Sequence, residues 1–389
     1  MSRVTTAWVL QAGPTNAYEP GALQLAELSL PEAKSTDVLV EPQVGCWEGN
    51  MTHAVKRRPV DICRQRGEPA VVIGNSGVVR VLRAGHDVKG LKEGDLAYVF
   101  GNATPWERFG YMRYALAYDS PATMGVLAKR SVLPARCLIP IPEPSPLTVN
   151  EWAAFSLRFV SAWSNWKVAL GCYRTQVGLD ENPCPTVWAW GGGVSLAELM
   201  LARAAGCRVT MITGKAKRAA HLRTLGIGVV ERSAFPGLSF SAERYARDAE
   251  YREGYLRAEK SFLKLVKERT GGQGVDIFID NIGAPVARAT LKALGPCGVL
   301  ATCGWQGGMD IQAVRAVEAI NRHTHVHTHY ARREEGLAAM QFALANPAWK
   351  APLEGPPTRW ADIGALAQAQ LEDRDDSWFP LFQVADAPG

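Results

Sequence analysis

Three groups of residues in this sequence have the types and spacing for chemistry. The first is the glycine run Gly191, Gly192 and Gly193, followed by Val194 and Ser195. Glycine lets backbone N–H groups approach a phosphate closely, and a helix opening at such a turn favours the phosphate charge. The full G-x-G-x-x-G spacing is not met, because Leu196 stands three after Gly193. The alternative reading is therefore a tight strand-to-helix turn that needs glycine for steric reasons alone. The second group is Thr213, Gly214, Lys215, Lys217 and Arg218, a hydroxyl and cations with no carboxylate among them. A carboxylate there would accept bonds from a ribose and repel a 2′-phosphate, so this composition suits a phosphorylated ribose; a solvated basic helix start is the other reading. The third is the row His323, His325, His327 and His329, which holds four of the seven histidines. On a strand, a spacing of two puts all four imidazoles on one face. Such a row admits a metal, but side chains in one row seldom converge on a single tetrahedral ion, so a stacked structural row or a cleft residue at its end compete with that reading.

The elements that must position these groups follow from local patterning. TVWAWGGG is a compact apolar run ending in glycines, SLAELMLARAAG has helical composition and spacing, and CRVTMIT is a second apolar run. Strand, glycine turn, helix and strand in that order describe a parallel βαβ unit with its turn at the carboxyl end of the sheet. The alternation continues through GVDIFID, ARATLKALG and GVLATCG, which places Asn281, Cys303 and Gly304 at later strand ends. The middle of the chain thus reads as a doubly wound nucleotide-binding domain in an α/β protein. The first 150 residues, with DVLVEPQVG and AVVIGNSGVVRVLRAG, have the glycine- and proline-punctuated texture of strands and turns. A polar stretch between Glu231 and Thr270 is longer than an ordinary connection and reads as solvated and partly helical, available for packing or substrate cover.

Composition narrows the function classes. With 389 residues, 47% hydrophobic and 21% charged, the chain has the makings of two ordinary domains. The net charge of +5 is spread along the sequence, so nothing in it asks for nucleic acid or a membrane surface. MSRVTTAWVLQAG lacks the apolar core of a signal peptide, and the expected location is cytoplasmic. Eight cysteines are scattered without a C-x-x-C pair and read as free, mostly structural thiols.

Across nearly its whole length the sequence resembles the medium-chain dehydrogenase/reductase superfamily, and within it the crotonyl-CoA carboxylase/reductase and 2-enoyl-thioester reductase branch. The resemblance is carried by GNSGVVRVLRAGHDVKGLKEGDLAYVFG with its Gly94-Asp95 turn, by SVLPARCLIPIPEPSPLTVNEWAAF, by ERTGGQGVDIFIDNIG, by the charged insertion near 233–262 and by HTHYARREEG. It implies a GroES-like β-rich catalytic domain, residues 1–150 and 325–389, and a Rossmann dinucleotide-binding domain, residues 151–324. It also implies NADPH held by Gly191, Gly192, Gly193, Val194, Ser195, Thr213, Gly214, Lys217, Asn281, Cys303 and Gly304. Zinc alcohol dehydrogenases of the superfamily use a cysteine and a G-H-E segment; Cys46 meets the first, but the second reads Gly74-Asn75-Ser76, so no metal is expected.

His329 matches the branch's active-site histidine. Glu48 stands where the carboxylating members keep an asparagine, and their phenylalanine–glutamate pair is replaced near Ser120 and Pro121. The implied reaction is NADPH-dependent reduction of a conjugated carbon–carbon double bond, in an enoyl-CoA-like or carrier-protein thioester or a related carbonyl, without carboxylation. His329 would donate to the enolate, Glu48 would orient it or the substrate, and Ser161 would bond the nicotinamide carboxamide or relay a proton. Trp47, Trp163 and Trp305 are candidates for apolar walls, or simply core. Quinone or carbonyl reduction and a non-catalytic NADPH-binding role remain open alternatives. The superfamily's habits make a homo-oligomer the expected assembly.

Overall fold

Alternating apolar and polar side chains in the amino-terminal part form antiparallel strands: β1 (Val4–Gln11), β2 (Leu23–Ser29), β3 (Asp37–Cys46), β4 (Ala70–Val71), β5 (Gly77–Ala84), β6 (Leu96–Val99), β7 (Ser131–Pro134) and β8 (Leu138–Pro140). This computed structural model describes residues 4–14, 19–101, 122–304, 306–308, 325–328 and 331–386. It divides into two compact units, residues 1–160 with 331–389 and residues 161–330.

In the first unit β2, β1 and β4 make one sheet, while the strand Leu381–Gln383, β3, β5, β6 and β8 make a second, with β7 beside β3. Residues near the carboxyl terminus thus complete a sheet begun at residue 37: Leu381 lies opposite Cys46 and Gln383 opposite Val44. Helices α1 (Gly49–Lys56) and α2 (Ile62–Arg66) follow β3. Helix α3 (Val149–Ala154) opens on a capping box of Thr148 and Glu151, whose carboxylate also takes Lys350 at 2.7 Å. A single π turn, Phe155–Phe159, joins α3 to α4 (Val160–Arg174). This turn is sunk in aromatic side chains: Phe155 stacks on Phe159 at 5.8 Å, and both meet the Trp349 ring edge-on. Wide turns of this kind are costly in hydrogen-bond geometry and recur where side chains must be aimed.

In the second unit β9 (Thr186–Trp190), β10 (Arg208–Thr213), β11 (Gly228–Glu231), β12 (Val275–Asp280), β13 (Leu294–Thr302) and β14 (His325–Thr328) form one parallel sheet in the order β11-β10-β9-β12-β13-β14. The first strand lies in the middle, so the chain leaves it towards β10 and later crosses to β12. This is the doubly wound order, whose reversal point is at the carboxyl end of β9. Every residue of β9 is buried, as a strand covered on both faces requires. Between the strands run α5 (Gly193–Ala204), α6 (Ala216–Thr224), α7 (Ala242–Arg247), α8 (Ala249–Arg269) and α9 (Ala284–Ala293). Among the described residues no helix is long and apolar enough to cross a membrane.

The charged insertion is less solvated than its composition suggests. Helix α8 buries Tyr255, Ala258, Phe262 and Val266, a stripe at helical spacing that joins the core beside Trp190 and Phe278. In the same stripe lies Glu259, 4% exposed, which accepts from Tyr255 Oη at 3.0 Å, Arg288 Nε at 3.3 Å and Lys292 Nζ at 2.6 Å. A burial stripe with one acid at its centre and matching cations on α9 locks the insertion to the sheet. Replacing Glu259 with alanine leaves two partly solvated cations without their counter-charge and is expected to cost about 2 kcal/mol, seen as a lower urea midpoint, with Lys292→Ala costing less.

Candidate functional site

The groups able to hold an anionic ligand in the second unit stand at the carboxyl ends of β9, β10, β12 and β13. At the end of β9 the three glycines have different reasons to be there. A Cβ on Gly191 would come within 2.8 Å of the Met211 Sδ on β10, so Gly191 serves packing. A Cβ on Gly192 would meet nothing within 4 Å, and its φ of −129° is open to any residue. Neither packing nor backbone strain asks for glycine at Gly192; bare backbone at the mouth of α5, the first residue of which is Gly193, is what a close phosphate approach uses. Val194 is half-buried in the first turn. Ser195 is fully buried, its hydroxyl donating to Trp190 O at 2.7 Å and accepting from Asn281 Nδ2 at 3.1 Å. Its side chain therefore frames the turn by tying β9 to Asn281.

At the end of β10 the Thr213 hydroxyl accepts from Lys215 N at 3.3 Å, which shapes the start of α6, while Gly214 and Lys217 are exposed. Arg232, just past β11, was not legible as part of this group. Thr213 lies opposite Glu231 in the parallel register, so the next residue on each strand stands side by side, and a Cβ on Gly214 would come within 3.8 Å of the Arg232 Cβ. The Arg232 guanidinium lies 6.0 Å over the Trp190 ring. The signal was topological: a cation one residue beyond a strand that pairs with β10.

Beyond β12, Asn281 Oδ1 accepts from Cys303 N at 3.0 Å, and Thr302 Oγ1 bonds Gly304 O at 2.7 Å, so Asn281, Cys303 and Gly304 form one tied loop end. The preceding Asp280 accepts from the backbone of Ile282 and Gly283, each at 3.0 Å, and from Thr290 Oγ1 at 3.1 Å; burial pushes its carboxyl up to about 6. Ser161 is half-buried at the start of α4. His323, His329 and Trp305 lie outside the described residues. For β14, the register sets Val299 opposite His325 and Ala301 opposite His327.

The first unit holds its own polar cluster at the end of β3. Glu48 is 3% exposed, and its Oε2 accepts from Arg158 Nε at 2.8 Å. The same guanidinium donates to Trp47 O at 2.6 Å and to Trp378 O, and lies 5.5 Å over the Phe379 ring. Burial raises the Glu48 carboxyl above its ordinary value, with Arg158 working against that shift. Cys46 is fully buried and its thiol is pushed well up by burial. Ser76 shares a 2.8 Å bond with Ser156 Oγ, which in turn accepts from Gly77 N at 2.8 Å. The π turn thus supplies both Ser156 and Arg158 to this cluster. Trp47, 1% exposed with its indole N–H on Thr52 Oγ1, belongs to the core.

Residues 193–345 match the family described as zinc-binding dehydrogenase. The whole fold matches the structure of a crotonyl-CoA carboxylase/reductase, AntE, in complex with NADP, with a TM-score of 0.79 and 18% identity over 98% of this chain and 95% of that one. These similarities establish the fold, a β-rich unit and a doubly wound parallel sheet like those of the matched structure. The chain is also similar to the structure of the 2-octenoyl-CoA carboxylase reductase CinF in complex with NADP and 2-octenoyl-CoA, with a TM-score of 0.77 and 19% identity over 100% of this chain and 90% of that one. A crotonyl-CoA reductase of Streptomyces avermitilis is 23% identical over 255 residues, 64% of this chain. The match spans 54% of that relative's length, about half of it.

The zinc in the matched family's name finds no fitting donors at the end of β3. Tetrahedral zinc takes a thiolate, imidazole or free carboxylate. Here Cys46 is held as a thiol by burial, Asn75 and Ser76 are poor ligands, and Glu48 is occupied by a fixed guanidinium whose charge opposes a second cation. Replacing Arg158 with methionine strands a buried carboxylate and is expected to cost about 3–5 kcal/mol in chemical denaturation, with the R158M/E48L double variant recovering much of the loss.

Proposed function

We propose that this chain is an NADPH-dependent reductase of a conjugated carbon–carbon double bond in an enoyl-CoA-like thioester or related carbonyl compound, working without carboxylation. The observation that carries the cofactor half is the bare backbone at Gly192 together with the carboxylate-free end of β10, where Lys215, Lys217, Arg218 and Arg232 gather. Relatives named as crotonyl-CoA reductase and as NADP complexes support the substrate half.

Bound NADPH would supply hydride to the β carbon of the substrate. Backbone N–H groups at Gly192 and Gly193 would take the pyrophosphate, and the helix dipole of α5 would favour its charge. The cations after β10 and β11 would meet the 2′-phosphate, with Thr213 and Gly214 beside the ribose. Asn281, Cys303 and Gly304, tied as one loop, would frame the nicotinamide, and Ser161 would bond its carboxamide. Hydride arrival leaves an enolate, for whose oxygen His329 is the proposed donor. Glu48 is proposed to orient: with Oε2 held by Arg158, it is a fixed acceptor for a substrate or imidazole N–H or O–H. The replacement of the carboxylating set around Glu48, Ser120 and Pro121 supports reduction without carbon dioxide.

Two measurements test this. Loss of NADPH absorbance is expected with enoyl-CoA thioesters, at a rate that bicarbonate leaves unchanged; bicarbonate-dependent turnover would overturn the non-carboxylating assignment, and preference for quinones would overturn the substrate. Gly192→Ala is expected to keep the melting temperature while weakening NADPH binding by about tenfold, whereas Gly191→Ala lowers the melting temperature through Met211.

A further inference from the structure

Two members of a buried polar network beneath the glycine turn, Glu198 and Asn165, have no part in the chemistry described so far. Glu198, on the second turn of α5 within the apolar run SLAELMLA, is 0% exposed. Its Oε2 accepts from Asn165 Nδ2 on α4 at 3.0 Å, and the Asn281 side chain lies against the same carboxyl. Asn281 Nδ2 donates to Ser195 Oγ, so Ser195 and Glu198, three apart on one helix face, both meet that amide. The carbonyl of that amide receives Cys303 N. Two oxygens in the network lack a partner among the described residues, Glu198 Oε1 and Asn165 Oδ1. Both are acceptors, and an unpaired buried acceptor is expensive. A proton on Oε1 would give that buried oxygen a role as donor and, with Asn165 Nδ2 already on Oε2, would complete the two-point pairing of a carboxylic acid with an amide.

We propose that Glu198 is a positioning residue for the cofactor: as a neutral acid paired with Asn165, it holds Asn281 and through it the Cys303–Gly304 loop, so that ionising it releases that loop. The inference rests on the cofactor reading of the same loop. Burial pushes the Glu198 carboxyl up to about 8, in agreement with the bonding pattern. The groups facing Glu198 are the amides of Asn165 from α4 and Asn281 from β12, the Ser195 hydroxyl from α5 and the Cys303 thiol beyond β13. Cys303 is the titratable one among these, and burial with Glu198 beside it raises its thiol well above the ordinary value, so it stays neutral through the range concerned. The folded protein keeps the Glu198 proton up to about pH 8, while the unfolded chain loses it near 4.5, so stability falls as pH rises across that window.

The conservative variant Glu198→Gln keeps the two-point pairing with no proton to lose, and Glu198→Ala removes it. NADPH affinity and hydrogen exchange of the peptide holding the Cys303 amide are measured in the unsubstituted protein and both variants at about pH 7 and about pH 9.5. The expected result is that the unsubstituted protein loses about tenfold in affinity and exchange protection at the higher pH relative to Glu198→Gln, and that Glu198→Ala is equally loose at both. Equal pH responses in the unsubstituted protein and Glu198→Gln, or full protection in Glu198→Ala, would overturn the proposal. Absence of NADPH binding in every form would instead sink the cofactor reading, and the Cys303 exchange would still decide the role of Glu198 in holding the loop.

Discussion

The Arg158 guanidinium is the interaction on which the first unit depends. It draws together segments far apart in sequence, the end of β3 through Trp47 and Glu48, the π turn that carries it, and Trp378 just before the last strand. Taking a cation out of water is costly, and three acceptors plus the Phe379 face are what make it tolerable here. The same cation opposes a second positive charge at the end of β3, where it lies against Glu48.

The nucleotide-binding fold was readable because its signals are local. TVWAW followed by glycines and SLAELM states a strand, a turn and a helix within fifteen or so residues, and parallel strands buried on both faces show as apolar runs. What stayed hidden depends on partners brought close only by the fold. Arg158 and Glu48 are 110 residues apart, and Asn281 reaches Ser195 across 86. Arg232 joins the basic group only through the pairing of β11 with β10. The charged insertion misled through composition: its many charges hid one apolar stripe on α8, and Glu259 within that stripe is buried where an acid reads as exposed. A similar clue lay unread in Glu198, an acid in the middle of an apolar helix, which calls for a partner wherever it occurs.

Two buried acids in the second unit show how donors tune a carboxyl. Asp280 receives two backbone N–H groups and the Thr290 hydroxyl and is pushed to about 6, whereas Glu198, with two amide donors, is pushed to about 8. Burial acts on both; the number and direction of donors separate them. Asp280 caps the turn into α9 and is suited to its charged form, while Glu198 is suited to its neutral form.

The discontinuity of the first unit bears on how the chain is made. During synthesis the ribosome releases residues 161–330 as one uninterrupted stretch, and their sheet can assemble as soon as they emerge. The nascent first unit must wait. Its β3 edge stays without the strand Leu381–Gln383, and Arg158 without the Trp378 carbonyl, until residues 378–383 emerge. Residues 37–160 are therefore translated before residues 161–330 yet completed after them, and a β edge held open for so long is where chaperone attention would be most needed.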